Sequence, residues 1–363
     1  MGSTHSTLQN MDLSKSNMPE PRWLAIRLPH LVLDLHTRAQ GGRETAIAVS
    51  SLLGRREQII DCNPAAVAGG ISPGMPVTAA HAILSGLHIV ERNPDAVQQA
   101  LQRLAAWCYQ YSAQVCIPGD RDGLLLEAGA SERLFGKTED LGQRLQRELA
   151  QLGYHALAGS APAPEAAWLA AQEHLHIASR GHIRRALGSL PIERLHLDRT
   201  LPAAMEKMGF RQLRDLLRLP RRTLTRRFRP ALRDYLDRLL GIHPDPRKLY
   251  RPPEHFSSTL ELPAEIHTCQ ALLFPLRRLF AELCGVLRGG DSAVNSVQVT
   301  MGHEDHEDTL LELGMQSPTQ SPERLLGVLR ERLERLQLPR AVRDIRLEAP
   351  QLIRFRAGQK TLF

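Results

Sequence analysis

The sequence predicts a multidomain α+β fold, and three observations carry that prediction. From residue 22 to about 178, apolar strand-like segments alternate with segments whose apolar residues recur at helical spacing. Between Leu190-Pro191 and Gly241 the chain becomes a series of short helices punctuated by Gly and Pro. Beyond a proline-rich stretch at 243–255, the order strand-helix-strand-strand-helix-strand describes a split βαβ arrangement.

In chain order, RWLAIRL (22–28) reads as the first strand and AIAVS (46–50) as another, with QIID (58–61) able to pair with the latter. Asn93-Pro94-Asp95 supplies an N-cap, a proline at the first helical position and an acid in the first turn. Behind it Val97, Leu101, Leu104, Cys108 and Tyr111 recur at helical spacing, which predicts a helix over 94–112. Strands follow near 114–117 and 123–127, then a helix at 137–151, a strand at 155–159 and an Ala-rich helix at 164–178. In the next region one helix ends at Met208-Gly209, another spans 211–218, and a third runs from about 231 to a glycine stop at Gly241. The two helices joined through Met208-Gly209-Phe210 resemble a helix-hairpin-helix, whose turn amides can hold DNA phosphate; Gly209 and Arg211 are therefore candidate DNA contacts. The last region is predicted to contain strand 257–262, helix 269–288, strands 294–302 and 308–313, a helix capped at Ser321, and strand 342–348. The implied organisation is a disordered leader (1–20), a first domain (21–185, with a smaller part at about 46–84), a helical basic domain (186–242), a linker (243–255), a C-terminal domain (256–350) and a tail (351–363).

Composition narrows the function classes. A chain of 363 residues with 42% hydrophobic and 23% charged residues can bury several cores. No stretch approaches the roughly 18 uncharged apolar residues of a membrane span, and the polar first twenty residues lack a signal-peptide core, so a cytoplasmic location is expected. The five cysteines show no CxxC spacing, which predicts buried free thiols and no zinc site. The formal charge is +7, yet Arg211–Arg251 alone holds thirteen basic residues against four acids. That local excess is the footprint of a phosphate-backbone binder, with Arg221, Arg222, Arg226 and Arg227 at its densest part. A solvated helical face is the plainer reading of the same charges.

Certain motifs resemble those of the Y-family translesion DNA polymerases across about 20–363. Gly70-Ile71-Ser72-Pro73-Gly74-Met75-Pro76 is similar to the family's fingers turn, LLFPLRRLF (272–280) to its little finger, and Leu190-Pro191-Ile192 with MGFRQLRDLLRLP (208–220) to its thumb. Within the family the chain most resembles the inactive ImuB subfamily. The resemblance implies a right-hand fold with a ferredoxin-like palm, small fingers, a helical thumb and a βαββαβ little finger. It also implies a DNA-binding adaptor in translesion synthesis and damage-induced, SOS-linked mutagenesis. Expected partners are primer-template DNA, bound by thumb and little finger, the sliding clamp, a separate error-prone C-family polymerase and a RecA-like accessory protein, with the protein associated with the nucleoid.

The departures from the family pattern bear on catalysis. Active members place a magnesium-binding acid in an apolar strand; here that strand continues Ile26-Arg27-Leu28-Pro29-His30-Leu31, with Arg27 at the metal position. A cation there would repel Mg²⁺ by several kcal/mol at about 4 Å and an effective dielectric of about 20. Leu31 and Val32 replace the aromatic pair that screens the sugar, and in the second acidic motif Asp122 remains while Gly123 replaces a glutamate. The triphosphate-gripping Tyr and Arg would fall on Pro64 and Val67, and a lysine on Pro164. No catalytic residue, metal or cofactor is expected, and the chain reads as a pseudo-polymerase. The alternative is an active polymerase, Mg²⁺-dependent, with a metal site rebuilt from Asp34, Asp122 and Glu127. His303 to Asp308 reads as an exposed polar hairpin and not a metal site. Finally, Gln359, Leu362 and Phe363 resemble the Q-x-x-L-F peptide by which bacterial repair proteins engage the sliding clamp.

Overall fold

Trp23–Arg27 (β1) is the hub of the fold, because helices cover both faces of its sheet. The computed structural model describes residues 20–355 apart from 40–44, 55, 120, 199 and 229. Residues 1–19 of the expected leader, Asp120, Arg229 and the clamp motif Gln359, Leu362 and Phe363 lie outside the described residues.

The strand stops at Arg27, one residue short of the predicted 22–28. Pro29 has no N–H to donate to a sheet ladder, and the chain turns into α1 (Leu31–Thr37). Leu31 and Val32 are the buried start of that helix. A three-stranded sheet follows, from β2 (Ile47–Leu53) and β3 (Arg56–Cys62), which pair antiparallel as expected. Two short helices, α2 (Pro64–Ala68) and α3 (Val77–Ile83), then lead to β4 (His88–Glu91), parallel to β2. The 70–76 turn is tied to β3 in both directions, Gly74 N donating to Ile59 O at 2.7 Å and Ile59 N to Met75 O at 2.8 Å.

The capped helix α4 (Pro94–Cys108) returns the chain to the central sheet. There β5 (Val115–Cys116) and β6 (Gly123–Glu127) precede α5 (Glu132–Phe135), α6 (Thr138–Gln151), β7 (Leu157–Ala161) and α7 (Pro164–Gln172). The sheet order β5-β6-β1-β7 is antiparallel throughout, and each helical crossover skips one strand, the ferredoxin-like pattern. β7 begins two residues later than predicted, and α7 stops at Gln172 where the prediction ran on to 178. His174 there takes a left-handed φ of 53°.

The helical region holds α8 (Arg180–Leu187), α9 (Leu201–Lys207), α10 (Leu213–Leu217), α11 (Arg221–Arg227) and α12 (Pro230–Leu239) around a core shared with α7. The proline-rich stretch lies on the central sheet: Tyr250 N donates to Val115 O at 2.7 Å. The C-terminal domain contains β8 (Phe256–Ile266), α13 (Cys269–Gly289), β9 (Ser292–His303), β10 (His306–Thr319), α14 (Pro322–Glu334), β11 (Val342–Ala349) and β12 (Ile353–Arg354). Its order β10-β9-β11-β8 again splits both βαβ units. Of the cysteines, Cys108, Cys116 and Cys284 are buried free thiols, while Cys62 and Cys269 are only half-buried.

α13 packs on α4, so the central and C-terminal domains share one continuous apolar core. A side chain at Gly285 would overlap the Trp107 indole, at 1.9 Å from Cδ1. Beside this seam Glu282 is fully buried, 2.7 Å from Arg38 Nη2 and 3.3 Å from Arg103 Nε.

Candidate functional site

At the end of β1, Arg27 stands opposite Gly123 of β6 on one side and Leu157 of β7 on the other. Asp122 is adjacent, its carbonyl accepting from Leu28 N at 2.9 Å. Both Asp122 carboxylate oxygens are engaged by the Arg92 guanidinium at 2.8 Å, a bidentate pair that ties the end of β4 to the central sheet. The sequence reading identified Arg27, Asp122 and Gly123, and the fold brings all three together. It missed Arg92, which is 30 residues from Asp122.

Trp168 was missed as well. On α7 it reads as one more apolar residue of an Ala-rich helix, yet its indole occupies the space in front of Gly123. A Cβ on residue 123 would lie 2.3 Å from Ile26 O and 2.9 Å from Trp168 Cη2, so no longer side chain fits without rebuilding the site. The guanidiniums of Arg27 and Arg121 pack over this ring, at 5.3 and 5.2 Å from its centroid. Arg121 also holds Glu165 at 3.0 Å, and Arg247 reaches the same carboxylate at 2.8 Å. Burial opposes ionisation of Glu165, but the two arginines outweigh it and keep its pKa below the ordinary carboxylate value.

The fold implied by the sequence would carry divalent cations here, and these residues do not fit them. Among the described residues the carboxylate at this strand end, Asp122, is already clasped, a guanidinium stands at the first position, and an indole fills the place of a second acid. The other acids point elsewhere. Asp34 accepts from His155 N at 2.8 Å. Glu127 lies at the far end of the sheet, paired with Trp23 in register, and caps the backbone N–H groups of Arg22 and Gly129 at 3.1 Å. Among the described residues no group of three or more His, Cys, Asp or Glu is placed to hold a metal ion. His303 and His306 lie on a β9–β10 hairpin, where His303 Nδ1 and Nε2 are bonded to Ala341 O and Thr309 Oγ1.

In the helical region the hairpin between α9 and α10 forms, with Gly209 at φ 87°. Its amides, however, are already satisfied. Met208 and Phe210 N–H donate to Met205 O and Gly209 N–H to Glu206 O. Those of Arg211 and Gln212 donate to Asp215 Oδ2 at 3.1 and 3.0 Å. These bonds hold the Asp215 pKa down, so a phosphate at this turn would compete with a carboxylate in place. The stronger basic surface is on α11 and α12. There Arg221, Arg222 and Arg226 line a concavity of about 620 Å³ with Arg233 and His243, and the buried Asp237 holds Arg221 at 2.5 Å. Arg227 is exposed and does not line it.

The C-terminal sheet has the opposite charge. With α13 and α14 on its inner face, Glu261, Asp308, Glu312, Asp344 and Glu348 alternate onto the open face with Arg346, while the exposed Arg343 at the β11 bulge pairs with Glu304. Burial and the neighbouring Asp308 raise the Asp344 pKa. A phosphate backbone meets repulsion on this open face.

Residues 38–172 match the model of the impB/mucB/samB family. Protein ImuB from two strains of Caulobacter vibrioides is 27% identical over 267 residues, 73% of this chain. By these matches the chain resembles the ImuB-type, Y-family-like proteins. It spans 58% of the length of those relatives. Among solved structures, an insertion ternary complex of Dbh DNA polymerase covers 92% of this chain and 99% of its own, with a TM-score of 0.50 and 17% identity. A Y-family chimera, Dbh-Dpo4(243-245)-Dbh, gives the same coverage and score at 16% identity. The right-hand architecture implied by the sequence is therefore the observed one. No described helix is long and apolar enough to cross a membrane.

Proposed function

We propose that the chain is a non-catalytic DNA-binding adaptor in translesion synthesis and damage-induced mutagenesis. The observation that carries this reading is the end of β1. Arg27, the Arg92-clasped Asp122 and the Trp168 indole packed against Gly123 replace the acidic set that two-metal phosphoryl transfer needs. Three independent replacements mean that no single reversal rebuilds the site.

DNA is held through the α11–α12 arginines, largely without sequence preference and with steep salt dependence. Arg211 and Gly209 are secondary contacts, since Asp215 occupies their turn. Residues Gln359, Leu362 and Phe363 tether the chain to the sliding clamp and raise its local concentration at primer termini. By the ImuB likeness, a C-family polymerase performs the synthesis beside a RecA-like accessory protein, and the complex acts at the nucleoid.

The test is primer extension on a primed template with Mg²⁺ and with Mn²⁺, with DNA binding measured by anisotropy on the same preparation. Binding without extension is expected for the wild type and for the Arg27→Asp/Gly123→Glu double variant. Extension that disappears in Asp122→Ala would overturn the adaptor reading.

A further inference from the structure

The ends of β1, β6 and β7 border an open cleft of about 610 Å³, lined by Arg27, Arg121, Trp168, Gln172, Arg194 and His196. Its three arginines differ in one respect. Arg121 is bonded to Glu165 and Arg194 to Glu173, whereas Arg27 makes no hydrogen bond or ion pair among the described residues and rests on the Trp168 ring. Burial, then Arg121 and Arg194, push its pKa below the usual arginine value. A half-buried cation beside two others is short of an anion, because partly desolvated charges are ordinarily paired. Among the described residues the nearby carboxylates do not supply one: Asp122 is held by Arg92, and Glu193, which also lines the cleft, is solvent-exposed. A planar guanidinium fixed on an aromatic face keeps its N–H edge free for a bidentate oxyanion.

We propose that this cleft is an anion site that binds a phosphate group through the Arg27 guanidinium, with Trp168 as its floor. The charge at the end of β1 is thereby inverted: a place suited to carboxylates and cations has become one suited to an oxyanion. The phosphate comes either from a DNA strand or from a free phosphate compound, and the two sources share the recognition chemistry. The inference concerns this cleft alone and stands whether or not the α11–α12 surface binds DNA.

Trp168 supplies the readout. The full chain is titrated at constant ionic strength, without divalent metal, with inorganic pyrophosphate and separately with a short 5′-phosphorylated oligodeoxynucleotide, following tryptophan fluorescence. A saturable change is expected with at least one probe, weakened tenfold or more in Arg27→Ala and partly kept in Arg27→Lys, which retains charge but not the fork. Thermal unfolding of both variants establishes that they are folded; if Arg27→Ala is not, Arg27→Lys and Arg27→Gln carry the comparison. Tighter binding of the oligonucleotide, still dependent on Arg27, assigns the phosphate to a strand; Arg27-dependent binding of pyrophosphate alone assigns it to a free compound. The proposal is overturned if neither probe gives a saturable change. It is also overturned if the change survives in the Arg27 variants but is lost in Arg222→Ala/Arg226→Ala, which would place the anion on α11.

Discussion

At the residue scale, one buried carboxyl gives the protein a pH response. Asp34 on α1 is 9% exposed, and burial pushes its pKa up to about 7 despite the bond from His155 N. An acid whose folded pKa lies above its unfolded value destabilises the fold as pH rises between the two, since only the folded state then retains the proton. His30, raised by its bond to Asp61, has stability that is full at low pH and is lost as pH climbs through its folded pKa. His36 and His155, lowered mainly by burial, act in the opposite direction as pH rises through the ordinary histidine range. Asp34→Asn keeps an oxygen acceptor for His155 N and removes the titration. Urea midpoints of this variant should exceed the wild type at both pH 5 and pH 8, by the larger margin at pH 8, because the penalty grows from the unfolded to the folded pKa. Equal midpoints at both pH values would refute the Asp34 assignment.

At the element scale, charge separates the helical region from the C-terminal sheet. Arg222 and Arg226 are one turn apart on α11 and line the same concavity, whereas the open sheet face carries mostly carboxylates. Replacing both arginines by Ala should weaken DNA binding across sequences and reduce the log affinity versus log salt slope by about 1–2. A slope unchanged in that variant would move the DNA surface elsewhere. The basic block and the α9–α10 hairpin were legible in the sequence. The occupation of the turn amides by Asp215 was not, because a carboxylate three or four residues along reads equally well as a surface charge.

At the scale of the whole molecule, the central and C-terminal domains are one packed body. Glu282 of α13 is buried between Arg38 and Arg103, and its pKa is held low because these cations outweigh the burial penalty. Removing one partner of a buried ion group leaves its cations unmatched and costs about 3–5 kcal/mol. Glu282→Ala should therefore lower the stability measured by chemical denaturation by that order. A loss near zero would mean that the domains move apart freely. This seam was invisible in the sequence: the proline-rich stretch suggests a spacer, but Tyr250 fastens it to the central sheet and Arg247 to Glu165 of α7.

The sequence by itself determined the layout. Period-2 and period-3.6 patterns, the Asn93-Pro94 and Ser321-Pro322 caps and the glycine stops are local signals, and the sheets and long helices follow them. It also exposed the key substitutions, since Arg27 and Gly123 stand inside recognisable motifs. The short elements α1, α2, α3 and β4 escaped it, because four to seven residues hold too little periodicity to be read. Only the tertiary structure decided what those substitutions mean. Arg92 on Asp122, Trp168 against Gly123 and Glu282 between two arginines join residues distant in sequence. Their pairing depends on which faces the sheets and helices bring together, and no local pattern encodes that.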